Sequence, residues 1–171
     1  TGRCLPDATA RDFEAAGLAR IWIPKRFGGY EFDLQTGLDT LFEVARGCSS
    51  SSWCLTVYQQ HSWIVALFPE QAQQETLGAE PDFHIASVLS ARGTARQVEG
   101  GYIVNGFWPF ASGCDHGTWI GLGAQVVNPD GTPVPLGHAV HGVEGVNSRL
   151  CLLPMSDVEN KRDWHVAGLA G

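Results

Sequence analysis

The order of patterns along this chain predicts an α+β protein, an N-terminal helical domain followed by an antiparallel β domain. Three observations carry that expectation. Apolar residues recur at helical spacing up to about residue 77, then alternate or cluster at strand spacing beyond residue 85. Twenty-one Gly and nine Pro are many for a helical bundle and suit a turn-rich β half. The two patterns follow one another instead of alternating, which disfavours a doubly wound parallel sheet. The boundary is expected near residue 82, giving a helical domain 1–82 and a β domain 83–171.

In the first half, Pro6 to Leu18 carries Phe13, Ala16 and Leu18 as a short apolar face, with Gly17 as a breaker. Ile21 to Tyr30 holds Pro24 and the pair Gly28-Gly29, which force a structured loop. Leu34 to Arg46 places Leu38, Leu41, Phe42 and Ala45 at i, i+3, i+4 and i+7, the stripe of an amphipathic helix ended by Gly47. The Ser49 to Ser52 run is expected to supply a capping hydroxyl for a helix over Trp53 to Phe68. Apolar residues nearly encircle that helix, so it is predicted to be buried, with one polar turn, Gln59-Gln60-His61-Ser62, in its middle. Pro69 restarts a third helix through Gln71 to Leu77.

The second half opens on a short strand, Ile85 to Leu89. Thr94 to Glu99 and Tyr102 to Phe107 read as a hairpin joined by Gly100-Gly101, since glycine accepts the positive φ of a two-residue turn. Trp119 to Val127 is a further strand, closed by the turn signal Asn128-Pro129-Asp130-Gly131. Leu150 to Pro154 and Trp164 to Ala167 complete the set.

Composition narrows the function classes. Hydrophobic residues at 44% against 17% charged supply a core and exclude disorder for the bulk of the chain. A net charge of -7 with only two lysines, Lys25 and Lys161, excludes recognition of nucleic acid through its phosphates. The five cysteines contain no C-x-x-C pair, which argues against a disulfide framework or a Cys-rich zinc site and points to a reducing, cytoplasmic compartment. No apolar run reaches the roughly 18 residues of a membrane span, so no membrane partner is expected. The chain starts on Thr and stops on a small-residue run, so both ends read as cut and the chain as a fragment.

Three constellations could carry chemistry. His61 lies in the polar turn of an otherwise apolar helix, where an imidazole serves either as a proton shuttle or substrate clamp, or as a core histidine satisfied by neighbours. Trp108-Pro109-Phe110-Ala111-Ser112-Gly113-Cys114-Asp115-His116 leaves a strand with aromatics and a hydroxyl, either a platform for a planar ligand or a bulge packing onto the core. His138-x-x-His141-x-x-Glu144 has metal-ligand residue types but no helix to gather them, and no metal site is expected. The chain has no G-x-S-x-G elbow, no P-loop and no G-x-G-x-x-G opening a helix.

The Ile23-Pro24 to Gly28-Gly29 loop, the helix from Ser51-Ser52-Trp53 to His61, and the hairpin Gly101-Tyr102-Ile103-Val104-Asn105-Gly106 resemble the acyl-CoA dehydrogenase fold, over about residues 15 to 171. In dehydrogenases proper the Asn-Gly is followed by a Lys and a Trp-Ile-Thr-Asn stretch whose Trp and Thr touch the flavin. Here Phe110 falls on that Trp position and Ser112 on that Thr position. This departure is similar to the aromatic hydroxylase branch, the oxygenase components of two-component flavin monooxygenases.

The resemblance implies an oxygenase that hydroxylates a small phenolic substrate with reduced flavin, FMN or FAD, and O2. It implies a flavin reductase as partner and a homotetramer completed by a C-terminal helical bundle. By the same resemblance Ser112 meets flavin N5, His61 the substrate phenolate, and Ser87, Val88, Phe110 and Ala111 the flavin surroundings; His61 and Ser112 are the catalytic candidates. Two other readings stay open: a flavin oxidoreductase or a sulfur or nitrogen oxygenase of the same fold, and a non-catalytic piece that binds no flavin.

Overall fold

The computed structural model describes residues 3–79, 84–140, 143–163 and 165, with the backbone alone over 137–140 and 143–144. The chain forms two compact units. One comprises the residues up to Ser87, Ser112–Ile120 and the chain from Pro154; the other comprises Val88–Ala111 and Gly121–Leu153. Compactness therefore divides the chain differently from the change of element type, because a short middle segment and the end of the chain join the helices.

The first unit is built on α1 (Asp7–Ala15), α2 (Leu34–Gly47), α3 (Ser49–Val65) and α4 (Glu70–Glu75). Pro6 precedes α1 in an extended conformation and Asp7 occupies the first turn, where a carboxylate complements the helix dipole. Asp33 caps α2, its Oδ1 accepting the Thr36 N–H at 2.9 Å. The loop between them folds back on itself: the Tyr30, Glu31 and Phe32 N–H groups donate to the carbonyls of Arg20, Ile23 and Ile21. Leu5, Ala10, Phe13, Ala19, Leu41, Cys54, Leu55, Val57 and Tyr58 form one buried cluster at the α1–α2–α3 junction.

Two helical expectations need correction. The serine run does not precede α3 but opens it: Cys48 takes the cap position, with extended backbone and no capping side-chain bond. Only that one residue separates α2 from α3, so the chain has no room for a separate cap. Ser52 instead donates to the Leu41 carbonyl at 2.8 Å, tying α3 to α2. Nor is α3 buried all round. Trp53 and Trp63 are 44% and 51% exposed, whereas Gln59, His61 and Ser62 are buried.

The second unit is β-structured. β1 (Ile85–Val98) is one long strand rather than two short ones, and it enters this unit after Ser87. It pairs antiparallel with β2 (Gly101–Asn105), from Val98↔Gly101 to Thr94↔Asn105. The turn is therefore Glu99-Gly100, one residue earlier than the Gly-Gly reading. Gly100 alone supplies the positive φ, at 81°, and Gly101 is already paired. β3 (Trp119–Val127) ends at the expected turn, where the Gly131 N–H reaches the Asn128 carbonyl. β4 (Pro135–Val140) and β5 (Val143–Val146), unforeseen in a Pro- and Gly-rich stretch, form a two-stranded antiparallel sheet. β6 (Ser148–Pro154) follows. The strand expected over Trp164 to Ala167 lies outside the described residues.

The larger sheet has the order β2-β1-β3-β6. The His84 carbonyl, just before β1, accepts the Thr118 and Trp119 N–H groups at the start of β3, and further along Gly123 lies against the Leu89 and Ser90 carbonyls. β1 and β3 thus run the same way, which makes the sheet mixed, without a βαβ unit. With neighbours on both edges, β3 is buried from Ile120 to Ala124, as a central strand should be. The Trp108 indole donates to its Gly123 carbonyl at 2.7 Å.

Candidate functional site

α3 organises the site in the first unit. Trp53, Val57 and His61 are spaced four residues apart and so share one helix face, Trp53 standing about 12 Å from His61 along the axis. His61 is 8% exposed, and its Nε2 lies 2.8 Å from the Ser87 hydroxyl on the third residue of β1. Its Nδ1 is buried and meets no hydrogen-bond partner among the described residues. Burial lowers the imidazole below its ordinary value, the Ile85 backbone raising it to a lesser degree. A neutral ring carries one N–H, so its bond to Ser87 decides whether Nδ1 is a donor or an acceptor.

At the other end of the same face, the Trp53 indole donates to the Ser112 hydroxyl at 3.0 Å. Ser112 is half-buried, so it does not point into a sealed core. Next to it Gly113 stands at φ 77°, and its carbonyl accepts the Tyr58 hydroxyl at 2.8 Å. The turn that follows, Cys114–His116, is anchored on two sides. Asp115 accepts from Arg162 and Asn160, each at 3.2 Å, and His116 Nε2 lies 2.7 Å from the Leu5 carbonyl.

His61 and Ser87 are thus in direct contact, and Ser112 hangs from the same helix through Trp53. Val88, Phe110 and Ala111 belong to the second unit. There Phe110 combines a φ of 68° with 66% exposure. An aromatic residue rarely adopts that backbone, and such strain concentrates where a chain serves a ligand.

Sequence reading missed Trp53 and Tyr58, which it treated as core. A polar tip on each was the available signal, because a Trp N–H or Tyr O–H inside a protein demands an acceptor. His138, His141 and Glu144 lie outside the residues whose side chains are described. Among the described residues no cluster of three metal-ligating side chains occurs, and no helix is long and apolar enough to cross a membrane.

No protein-family profile matches the chain. It is 34% identical over 169 residues to the oxygenase subunit HsaA of a flavin-dependent monooxygenase from Mycobacterium tuberculosis, covering 99% of this chain and 40% of that protein. It is 30% identical over 171 residues to the oxygenase component of an FADH(2)-dependent resorcinol hydroxylase from Rhizobium sp., covering 99% and 38%. Among solved structures, XiaF from Streptomyces sp., in complex with FADH2 and glycerol, superposes with a TM-score of 0.88 at 33% identity, covering 98% of this chain and 39% of that one. The chain spans about two-fifths of the length of the proteins it matches. Over that span it is similar to the oxygenase components of two-component flavin-dependent aromatic monooxygenases and shares their acyl-CoA dehydrogenase fold.

Proposed function

We propose that the whole protein is the oxygenase component of a two-component flavin-dependent monooxygenase that hydroxylates a small phenol, using reduced flavin and O2. The observation that carries this reading is His61, a buried neutral imidazole clamped at Nε2 by Ser87 and left with an unpartnered Nδ1. An orphaned buried nitrogen is costly, by roughly 1–3 kcal/mol, unless a ligand supplies the partner. Ser112 is half-buried; it accepts the Trp53 N–H and keeps its own hydroxyl hydrogen for a ligand atom. The residues present therefore fit a planar polar cofactor beside a phenolic substrate.

When bound, reduced flavin would supply the two electrons that activate O2, one atom of which enters the substrate ring while the other leaves as water. Ser112 would hold the polar edge of the flavin ring, with Ser87 as the further candidate of the same unit; Val88, Phe110 and Ala111 remain flavin candidates by resemblance. His61 would donate from Nε2 to Ser87, so that the Nδ1 lone pair takes the phenol O–H hydrogen. Drawing that proton away raises electron density in the substrate ring, which favours attack on an electrophilic oxygen. A flavin reductase would supply the reduced cofactor, FMN or FAD, and a homotetramer would be the assembly. The five free thiols agree with a reducing, cytoplasmic setting. The helical part to about residue 82 and the β part beyond it would act as the two domains of this oxygenase.

The test is to mix the full-length protein with chemically reduced FMN or FAD, O2 and a panel of phenols, and to measure hydroxylated product against peroxide. Product formation that depends on the phenol supports the reading. Flavin oxidation with no product from any phenol would overturn it.

A further inference from the structure

We propose that Tyr58 is a positioning residue for the Ser112 hydroxyl, acting through the Gly113 carbonyl. The inference rests on the reading of Ser112 as a flavin-facing group. Tyr58 is 0% exposed in the middle of α3, surrounded by the apolar cluster that Leu55 and Val57 share. A phenylalanine would fill that space equally well, as Phe13 does in the same cluster. The hydroxyl therefore needs a reason, and its described bond is the 2.8 Å donation to the Gly113 carbonyl.

The ring contributes as well. Gly113 occupies the left-handed region at φ 77°, and a Cβ there would lie 2.8 Å from Tyr58 Cε1 and 2.9 Å from Cζ and the hydroxyl oxygen. The turn rests directly on the ring while the hydroxyl holds its carbonyl. Ser112, one residue earlier, has its Oγ held by Trp53, five residues before Tyr58 on the same helix. Two bonds from one rigid element thus hold both the side chain of Ser112 and the carbonyl of the residue that follows it. Burial, with nearby Cys54 and Cys114, keeps the phenol well above its ordinary value, so it stays a donor at any physiological pH. The tilted His84 ring, 4.7 Å away, closes the other side.

Tyr58→Phe removes the donor and keeps the ring. Ser52→Ala is the control, because it deletes another α3 hydroxyl bond, the one to the Leu41 carbonyl. Two readouts are taken on the full-length protein. One is fluorine NMR of fluorotryptophan-labelled protein without flavin, the Trp53 signal being assigned with Trp53→Phe. The other is peroxide released per reduced flavin oxidised in the presence of a phenol.

Positioning predicts that Tyr58→Phe shifts or broadens the Trp53 signal and raises the peroxide share about fivefold, the factor one lost hydrogen bond carries, with the phenol KM unchanged. Ser52→Ala should leave both readouts at the wild-type level. An unaltered Trp53 signal in Tyr58→Phe, or equal changes in both variants, would overturn the proposal. If the wild type hydroxylates no phenol, the oxygenase reading fails, and the flavin-free Trp53 signal still decides whether Tyr58 holds the Ser112 turn.

Discussion

α2 and α3 lie side by side and use their residues in opposite ways. α2 carries a regular apolar stripe, yet Leu34, Leu38 and Phe42 are 65%, 37% and 68% exposed; among its apolar side chains only Leu41 is buried. α3 looks apolar on every side, yet it turns Trp53 and Trp63 outward and buries Ser52, Gln59, His61 and Ser62. Hydrophobic patterning therefore does not choose the inner face of either helix. In α3 three of these buried side chains have a partner: Ser52 bonds α2, Gln59 Nε2 bonds the Leu18 carbonyl, and His61 Nε2 bonds Ser87, while Gln59 Oε1, His61 Nδ1 and Ser62 Oγ meet none among the described residues. A helix that buries an imidazole gives its inner face partly to polar groups and keeps its stability in the residues between them.

The contrast makes graded predictions. Leu55→Ala should be the most damaging, since a fully buried leucine lost from the core costs about 2–5 kcal/mol. Urea denaturation would read this as a lowered midpoint at constant slope, and a loss under about 1 kcal/mol would mean that α3 is not the core helix described.

His61→Asn comes next. If His61 handles the phenol proton, hydroxylation should fall by about 10²-fold while flavin reoxidation persists and peroxide rises. Hydroxylation at the wild-type rate would return His61 to a structural role. The same residue sets a pH dependence. Its folded value lies below the ordinary 6.5, so the unfolded chain takes up the proton first as pH falls. Its contribution is complete above about 6.5 and is lost as pH drops from there through the lowered folded value. Denaturation midpoints measured from pH 7.5 to 5 should decline less steeply in His61→Asn than in the wild type; parallel curves would remove burial as the cause.

Ser52→Ala should cost about 1 kcal/mol, the worth of one hydrogen bond whose carbonyl partner loses it, again by denaturation. Phe42→Ser should be the smallest effect, within about 0.5 kcal/mol, because the ring is already exposed. A loss as large as that of Leu55→Ala would break the comparison between the two helices outright.

The sequence by itself determined the α+β order, the ends of α2 to within a residue, β3 with its Asn-Pro-Asp-Gly turn, and the resemblance carried by the hairpin and the Phe110–Ser112 segment. These rest on local chemistry: proline and glycine conformations, helical spacing, and residues contiguous in the chain. Tertiary structure decided which face of each helix is buried, where the serine run falls, and that β1 continues unbroken through Val98. It also brought Ser87 to His61 and Trp53 to Ser112, pairs 26 and 59 residues apart. Spacing along one element cannot reveal such pairs, because each partner is chosen by the path of a distant segment. The polar atoms of α3 and the Trp53 indole announce that partners are needed; only the fold says which residues they are.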